Sequence, residues 1–573
     1  MKQETAKSFE IKTKKGDKQM KKIISFAVAL IMLFTMSSTM AFAAFEGAPS
    51  TVGTVADGYT PEGTPVSSVS EFEAMAAGGT YYLTKSLDFS GKTYTISVWN
   101  KTGALNLDGC GYSLTGITVN GSGDVGVFYQ LTDANIKNLI VEASITTGTG
   151  ACAGLTAISK SGATNFENVK LTYGVLKGGK LGGFCGYSQT GSFHLKNCEV
   201  NGLIDGSAST KTGENAGVGG FFGQLKKVGK IEYCTNNATI DCAGTNSASP
   251  ATGGFIGRVT FGFIIENSVN NGLVDNSKAG SSNDTTGGFI GMTQSYKDGG
   301  TPEPYETLVK DCVNKANVLG GRDTGGIIGG AEGNSYKGIR IINCVNEGDV
   351  IGTTARAGKI GGIIAEVKAD LTVDGCVNEG SVSGNAGTYA DDGIGAIVGA
   401  AYNSSVNTTW ILTNNTNKGI VTNNARDGFV STLAAYTAAS NVTAQGNTST
   451  VNAVGTLTTA GKAYVQFKEA DEGKSDIRFV LALDEAALES VAGMELKITI
   501  GERSVSYGSF GTLYRKLNAA DIDIKGAEGI VLYGLVVTGV PDSAWSELSI
   551  ELSATDASGA AIEAFTISGT LTK

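Results

Sequence analysis

Glycine pairs recur along this chain at a nearly constant interval. They stand at Gly182-Gly183, Gly219-Gly220, Gly253-Gly254, Gly287-Gly288, Gly325-Gly326 and Gly361-Gly362, with a degenerate copy at Gly395-Ala396. Successive spacings are 37, 34, 34, 38, 36 and 34 residues. Two apolar residues follow each pair, as in GGFCG, GGFIG and GGIIG. A period of this size marks stacked units that bury a core only against their neighbours. Each copy offers short alternating stretches rich in Val, Ile and Phe and shows no helical period. Three short strands per turn, each turn stacked on the last, predict an all-β chain: a right-handed parallel β-helix over residues 60–455. A seven-bladed propeller is the rival, but its blades need four strands and usually about 40–45 residues. The 82 Gly do not signal disorder, because Pro is scarce at 7, 41% of residues are hydrophobic and only 17% are charged.

A second block follows each glycine block and defines columns. Cys198, Cys234, Ser268, Cys312, Cys344 and Cys376 share one phase. Two residues on stand Asn236, Asn270, Asn314, Asn346, Asn378 and, in the last copy, Asn417. Ile240, Val274, Val318, Val350, Val382 and Val421 form a third column. In a stack, equal positions lie about 4.8 Å apart, so buried Asn amides can bond their copies above and below. The cysteines read as packed thiols behaving as small hydrophobes, and Ser268 shows that the column does not require sulfur. Gly272, Gly348, Gly380 and Gly419 suggest a bend with φ > 0.

These GG-φ-φ-G and N-C-x-N-x-G-x-V blocks resemble the GLUG motif of bacterial secreted and surface proteins. The resemblance covers residues 182–424. The upstream stretches GGTYYLTKSLDFSG and LNLDGCGYSLTGITV are similar to the entry of such proteins, with Asn138 and Asn168 aligned to Asn197. It implies a solenoid architecture and a place among adhesin stalks, peptidase appendages and other surface proteins.

Beyond residue 460 the period stops. AYVQFK, DIRFVLALD, MELKITI, IVLYGLVVTGV and LSIELSAT sit at hairpin-like spacing. They predict a small antiparallel β-sandwich over 460–573, which resembles C-terminal modules of secreted proteins from Gram-positive anaerobes. Such a module could cap the open end of the stack.

At the other end, Lys21 and Lys22 precede the apolar run IISFAVALIMLFTM and an Ala41-Phe42-Ala43 cleavage pattern. Residues 1–43 read as a secretory signal peptide, with Met20 as its expected start. Its removal takes the net charge from −10 to −15, since it carries eight Lys and three acidic residues. That balance argues against nucleic acid as a partner, and no membrane insertion is expected after cleavage. The expected location is extracellular, released or held non-covalently at the cell surface.

Chemistry is constrained mainly by exclusion. His194 is the one histidine, which rules out His₂ zinc sites and leaves Ser-His-Asp or Cys-His machinery a single candidate. It sits in the alternating stretch GSFHLKN and reads as a strand-surface residue. Asp391-Asp392 is the only adjacent Asp pair in the array and reads as a solvated turn. Arg322, Arg340 and Arg356 fall at different phases and make no anion-binding row. Insertions after the glycine strand carry Tyr187, Tyr296, Tyr305, Tyr336, Tyr402 and Trp410. Per-repeat insertions commonly mark a binding face, so these aromatics form the candidate row for a glycan chain or a protein surface. The expectation is a non-enzymatic, adhesin-like solenoid without a cofactor or metal. A polysaccharide lyase or glycoside hydrolase on the same scaffold, and a structural spacer of an extracellular matrix, are the alternatives.

Overall fold

The computed structural model describes residues 52–148, 151–207, 209, 217–226, 228–243, 250–277, 285–294, 306–332, 338–353, 358–384, 393–401, 408–423 and 440–449. Further on it describes residues 462–471, 474–484, 490–500, 503–507, 515–517, 530–541, 548–562 and 567–570. The signal segment and Asp391-Asp392 lie outside these residues.

The repeat region is a parallel β-solenoid. Strands pair in parallel from Thr64–Val66 through Thr448–Ser449. Successive copies are in register: Gly253 lies opposite Gly287, Asn236 opposite Asn270, and Ile240 opposite Val274. Five short strands make one turn, where three were expected. One turn runs Ala251–Gly253, Ile256–Val259, Ile264–Glu266, Val269–Asn270 and Val274–Asp275. The first two of these stack in one sheet and the last three in another.

The additional breaks are backbone corners. Asn138, Asn168, Asn197, Tyr233, Asn267, Asp311, Asn343, Gly375, Asn414 and Gly446 all have φ between 50° and 70°. They occupy the position just before the Cys column. Asn tolerates this left-handed region better than most residues, which accounts for its frequency there. The positive-φ bend therefore lies at this column and not at Gly272, Gly348, Gly380 or Gly419, a correction to the sequence reading. Those four glycines are instead closely stacked, in a column that holds Ala238 and Ala316 in other copies. A Cβ on them would lie 1.8–1.9 Å from the carbonyl oxygen of the preceding turn.

The glycine pairs and the Asn column, which are separate blocks in sequence, meet in space. A Cβ on Gly254 would lie 2.1 Å from the Gly288 carbonyl oxygen and 2.6 Å from Asn270 Oδ1. Gly220, Gly288, Gly326 and Gly362 stand in the same relation to Asn236, Asn314, Asn346 and Asn378. Each turn is thus pinched at a waist where bare backbone touches a side-chain amide. In the later turns Val350, Ile360, Val382, Ile394, Ala396 and Val421 form an apolar cluster of their own, apart from the main core.

The main core carries a column of rings. Phe184, Phe221, Phe255 and Phe289 stack with centroids 5.2, 4.6 and 4.7 Å apart, and Ile327, Ile363 and Ile397 extend the column, buried. Such ring pairs contribute about 0.5–1.5 kcal/mol each beyond their burial.

A helix at Val69–Ala74 covers the first turns. Ser68 caps it: Ser68 Oγ accepts from the Glu71 N–H at 3.2 Å, and Glu71 Oε2 accepts from the N–H of Ser67, the residue before the cap, at 2.7 Å. Phe72 from this helix is buried against Phe89 and Phe128. No helix among the described residues is long and apolar enough to cross a membrane.

Beyond the solenoid the pairing turns antiparallel. One four-stranded sheet contains Lys462–Asp471, Lys474–Asp484, Ile530–Pro541 and Arg515–Leu517. The other contains Arg503–Tyr507, Gly493–Ile500, Leu548–Thr555 and Ile567–Thr570.

Candidate functional site

The interior columns are structural and fully engaged. Asn236, Asn270, Asn314, Asn346, Asn378 and Asn417 are all buried. Each amide from Asn236 to Asn378 donates to the next Oδ1, at 2.7, 2.7, 2.7, 2.9 and 2.8 Å in order. The second N–H of each Asn donates to the carbonyl two residues on, from Ala238 in the first copy to Gly419 in the last. Every bond along the ladder points the same way.

The Cys column is more than filler. Cys198, Cys234, Cys312, Cys344 and Cys376 are buried thiols, and none of the nine cysteines is in a disulfide. The Cys198 N–H donates to Cys234 Sγ at 3.3 Å and the Cys344 N–H to Cys376 Sγ at 3.4 Å. Ser268 Oγ and Asn415 Oδ1 accept the same backbone N–H, from Cys234 at 3.1 Å and Cys376 at 2.9 Å. The column selects a small side chain that can accept from the amide following the corner. Burial raises the thiols of Cys234, Cys312 and Cys376 well above the ordinary range, which makes them poor nucleophiles.

Of the aromatic row, only Tyr187 and Trp410 fall among the described residues, and the two lie on different sheets. Trp410 does not belong to an exposed face: it is 0% exposed, on Thr408–Thr413 opposite Leu371, inside the core. It shares the interior column of Phe193, Phe263, Ile339 and Leu371, each five residues before the Cys-column position, and that phase was readable in the sequence. Tyr187 lies half-buried on the other sheet, with Lys180 Nζ 4.2 Å from its ring centroid. Tyr296, Tyr305, Tyr336 and Tyr402 lie outside the described residues.

A cleft that sequence reasoning missed lies near the N-terminal turns. Residues 52–62 form a strap across the face of the larger sheet. The Gly53 N–H donates to Asn168 Oδ1 at 2.8 Å, and Asn168 Nδ2 donates to the Thr54 carbonyl at 2.6 Å. Further along, the Tyr59 hydroxyl donates to Asp108 Oδ2. Strap and sheet enclose about 620 Å³, lined by Tyr59, Glu62, Asn106, Asp108, Lys137 and Glu167 among others.

The cleft floor is an outward-facing polar row. Asn165 Nδ2 donates to Asn135 Oδ1 at 2.7 Å, Asn135 Nδ2 to Asn106 Oδ1 at 2.7 Å, and Asn106 Nδ2 to Thr80 Oγ1 at 3.3 Å. Beside it, Lys137 Nζ lies 3.4 Å from Asp108 Oδ2 and 5.6 Å from the Tyr59 ring centroid. Burial pushes the Asp108 carboxyl up. Hydrogen bonds from the Tyr59 hydroxyl, the Cys110 N–H and Asn138, with the Lys137 charge, outweigh that and hold it below the usual carboxylate range. Burial, reinforced by Asp108, raises the Tyr59 hydroxyl.

His194 and the Lys359–Glu366 pair lie outside the cleft. His194 continues the row one turn on, and its Nε2 is 2.9 Å from Glu232 Oε1 on the exposed face. On the glycine-pair strands, Lys359 Nζ lies 3.7 Å from Glu366 Oε1 with both side chains buried. That pair is closed to solvent and belongs to the packing.

The chain matches no protein-family model, and no curated protein matches it.

Proposed function

We propose that this chain is a secreted, non-enzymatic β-solenoid of GLUG-like type that presents a binding surface to an extracellular glycan or protein. The observation that carries this reading is the strap-walled cleft, a concave polar surface built on the rigid face of the stack. Asp108 is not set up as the general acid that glycosidic turnover would need. A general acid for glycosidic cleavage needs a carboxyl held protonated, with its pKa raised. Asp108 is the cleft's most enclosed carboxylate, and its partners shift it the opposite way. The interior thiols and amides are committed to hydrogen bonds between turns, which fits a scaffold. The lysine-flanked apolar run and the A-x-A pattern support export.

Full-length mature protein on a glycan array, assayed in parallel for reducing-end release, tests the proposal. Binding without turnover is the expected result. Turnover would replace it with a polysaccharide-degrading enzyme, and neither binding nor turnover with a structural spacer. Sequencing the N-terminus of exported protein should find Ala44 first.

A further inference from the structure

We propose that the strap-walled cleft holds an extended, neutral β-1,4-linked glycan, laid along the stack with successive sugar rings over successive turns. This rests on the binding reading above and names its ligand. Four observations carry it.

The first is the row itself. Thr80, Asn106, Asn135 and Asn165 are paired in register, so their side chains repeat at about the strand spacing of 4.8 Å. A flat β-1,4-linked chain repeats its rings at close to the same step. The second is the chemistry left over. Each Asn spends one N–H or one lone pair on each neighbour and keeps a further donor and acceptor. Asn135 and Asn165 are exposed. A donor and an acceptor repeated once per turn match sugar hydroxyls, which both donate and accept.

The third is Tyr59. The residue is 39% exposed and lines the cleft, while its hydroxyl is tied to Asp108. A ring already held in place offers a stacking surface at little entropic cost. The fourth is charge. Glu62, Asp108 and Glu167 line the cleft against Lys137, a net negative wall that repels uronate and sulfated chains. A protein partner fits less well, because protein interfaces are anchored by buried apolar pockets. Strand addition is closed as well, since the strands of Thr80–Leu83, Asn106–Asp108 and Asn135–Thr146 pair successively with one another.

The test is calorimetric titration of the mature protein with cellohexaose and mannohexaose, with maltohexaose and trigalacturonate as contrasts. The two β-1,4-linked chains should bind and the contrasts should not. Asn135→Ala and Tyr59→Ala should each weaken binding about tenfold or more, whereas Thr372→Ala, on the same sheet far from the cleft, should not. Unchanged melting temperatures would show that the variants fold, and Asn135→Gln supplies a second substitution at the row.

If a glycan binds but ignores both cleft substitutions, this inference fails and the binding reading stands. If trigalacturonate or maltohexaose binds through these residues, the proposed ligand class is wrong. If no glycan or protein ligand is found at all, both fall.

Discussion

The side-chain amide of Asn270 donates to Oδ1 of Asn314 at 2.7 Å across forty-four residues of sequence, and to the carbonyl of Gly272 at 3.1 Å. The next rung, Asn314 to Asn346, spans only 32 residues at the same distance. The longer insertion in between leaves the ladder geometry untouched.

Asn314→Ala should strip the ladder at its centre. It leaves the Asn270 N–H, Asn346 Oδ1 and the Ala316 carbonyl without their bonds to this residue, at about 1–3 kcal/mol for each buried group left unsatisfied. A clear fall in the urea midpoint is expected. Asn271→Ala, in an exposed Asn pair, should change stability by no more than about 0.5 kcal/mol.

Gly288→Ala should be poorly tolerated. The new methyl would lie 2.1 Å from the Gly326 carbonyl oxygen of the next turn and 2.6 Å from Asn314 Cγ of its own turn, so the next turn and the ladder amide must both move. Overpacking of this kind costs about 1–3 kcal/mol and occasionally more. At Gly123 an added methyl would meet nothing within 4 Å beyond its own chain neighbours, and Gly123→Ala should melt with the wild type.

Tyr233→Asn should stabilise the protein. Tyr233 holds φ 56° in a column where Asn recurs, and it is 39% exposed. The left-handed region costs roughly 1–2 kcal/mol for an ordinary residue and less for Asn. A higher melting temperature is expected for Tyr233→Asn and a lower one for Tyr233→Val.

Thiol labelling should report unfolding. Eight of the nine cysteines are buried and Cys110 is partly so. Burial, with the Asp108 carboxylate beside it, pushes Cys110 up to about 12, and burial does the same for Cys242. Native protein at pH 8 should react slowly with a disulfide reagent, while all nine thiols should react promptly in denaturant. Rapid native labelling of any Cys-column residue would contradict the packing described.

Acid should loosen the strap. The Asp108 pKa is depressed in the folded state, so its stabilising contribution is complete above the unfolded value of about 3.9 and is lost as pH falls through the lower folded value. Hydrogen exchange of residues 52–62 should therefore rise at the acid end of the range. Tyr59→Phe should weaken this pH dependence by removing one of the bonds that lower Asp108.

The stack was legible because register imposes the same demand on every copy. Asn346 and Asn378 must satisfy the same neighbours, and Gly326 and Gly362 must clear the same amide, so each column repeats one answer. The strap was not legible. Gly53 meets Asn168 across 115 positions and Tyr59 meets Asp108 across 49, and neither contact recurs. A single contact of that kind leaves no period to read. Trp410 follows directly on an insertion, which gives it the local look of a loop aromatic, while its phase with Leu371 assigns it to the core.

The offsets from corner to column are invariant where the copies are otherwise ragged. Asn267, Ser268, Asn270, Gly272 and Val274 recur with identical steps as Asn343, Cys344, Asn346, Gly348 and Val350. A one-residue insertion or deletion within that segment would turn core side chains to the outside. Duplication or loss of an entire copy leaves every rung with a partner. A lineage of such chains is thus free to change length by whole coils and to diversify its insertions, while the few residues linking one corner to the next admit almost no indels.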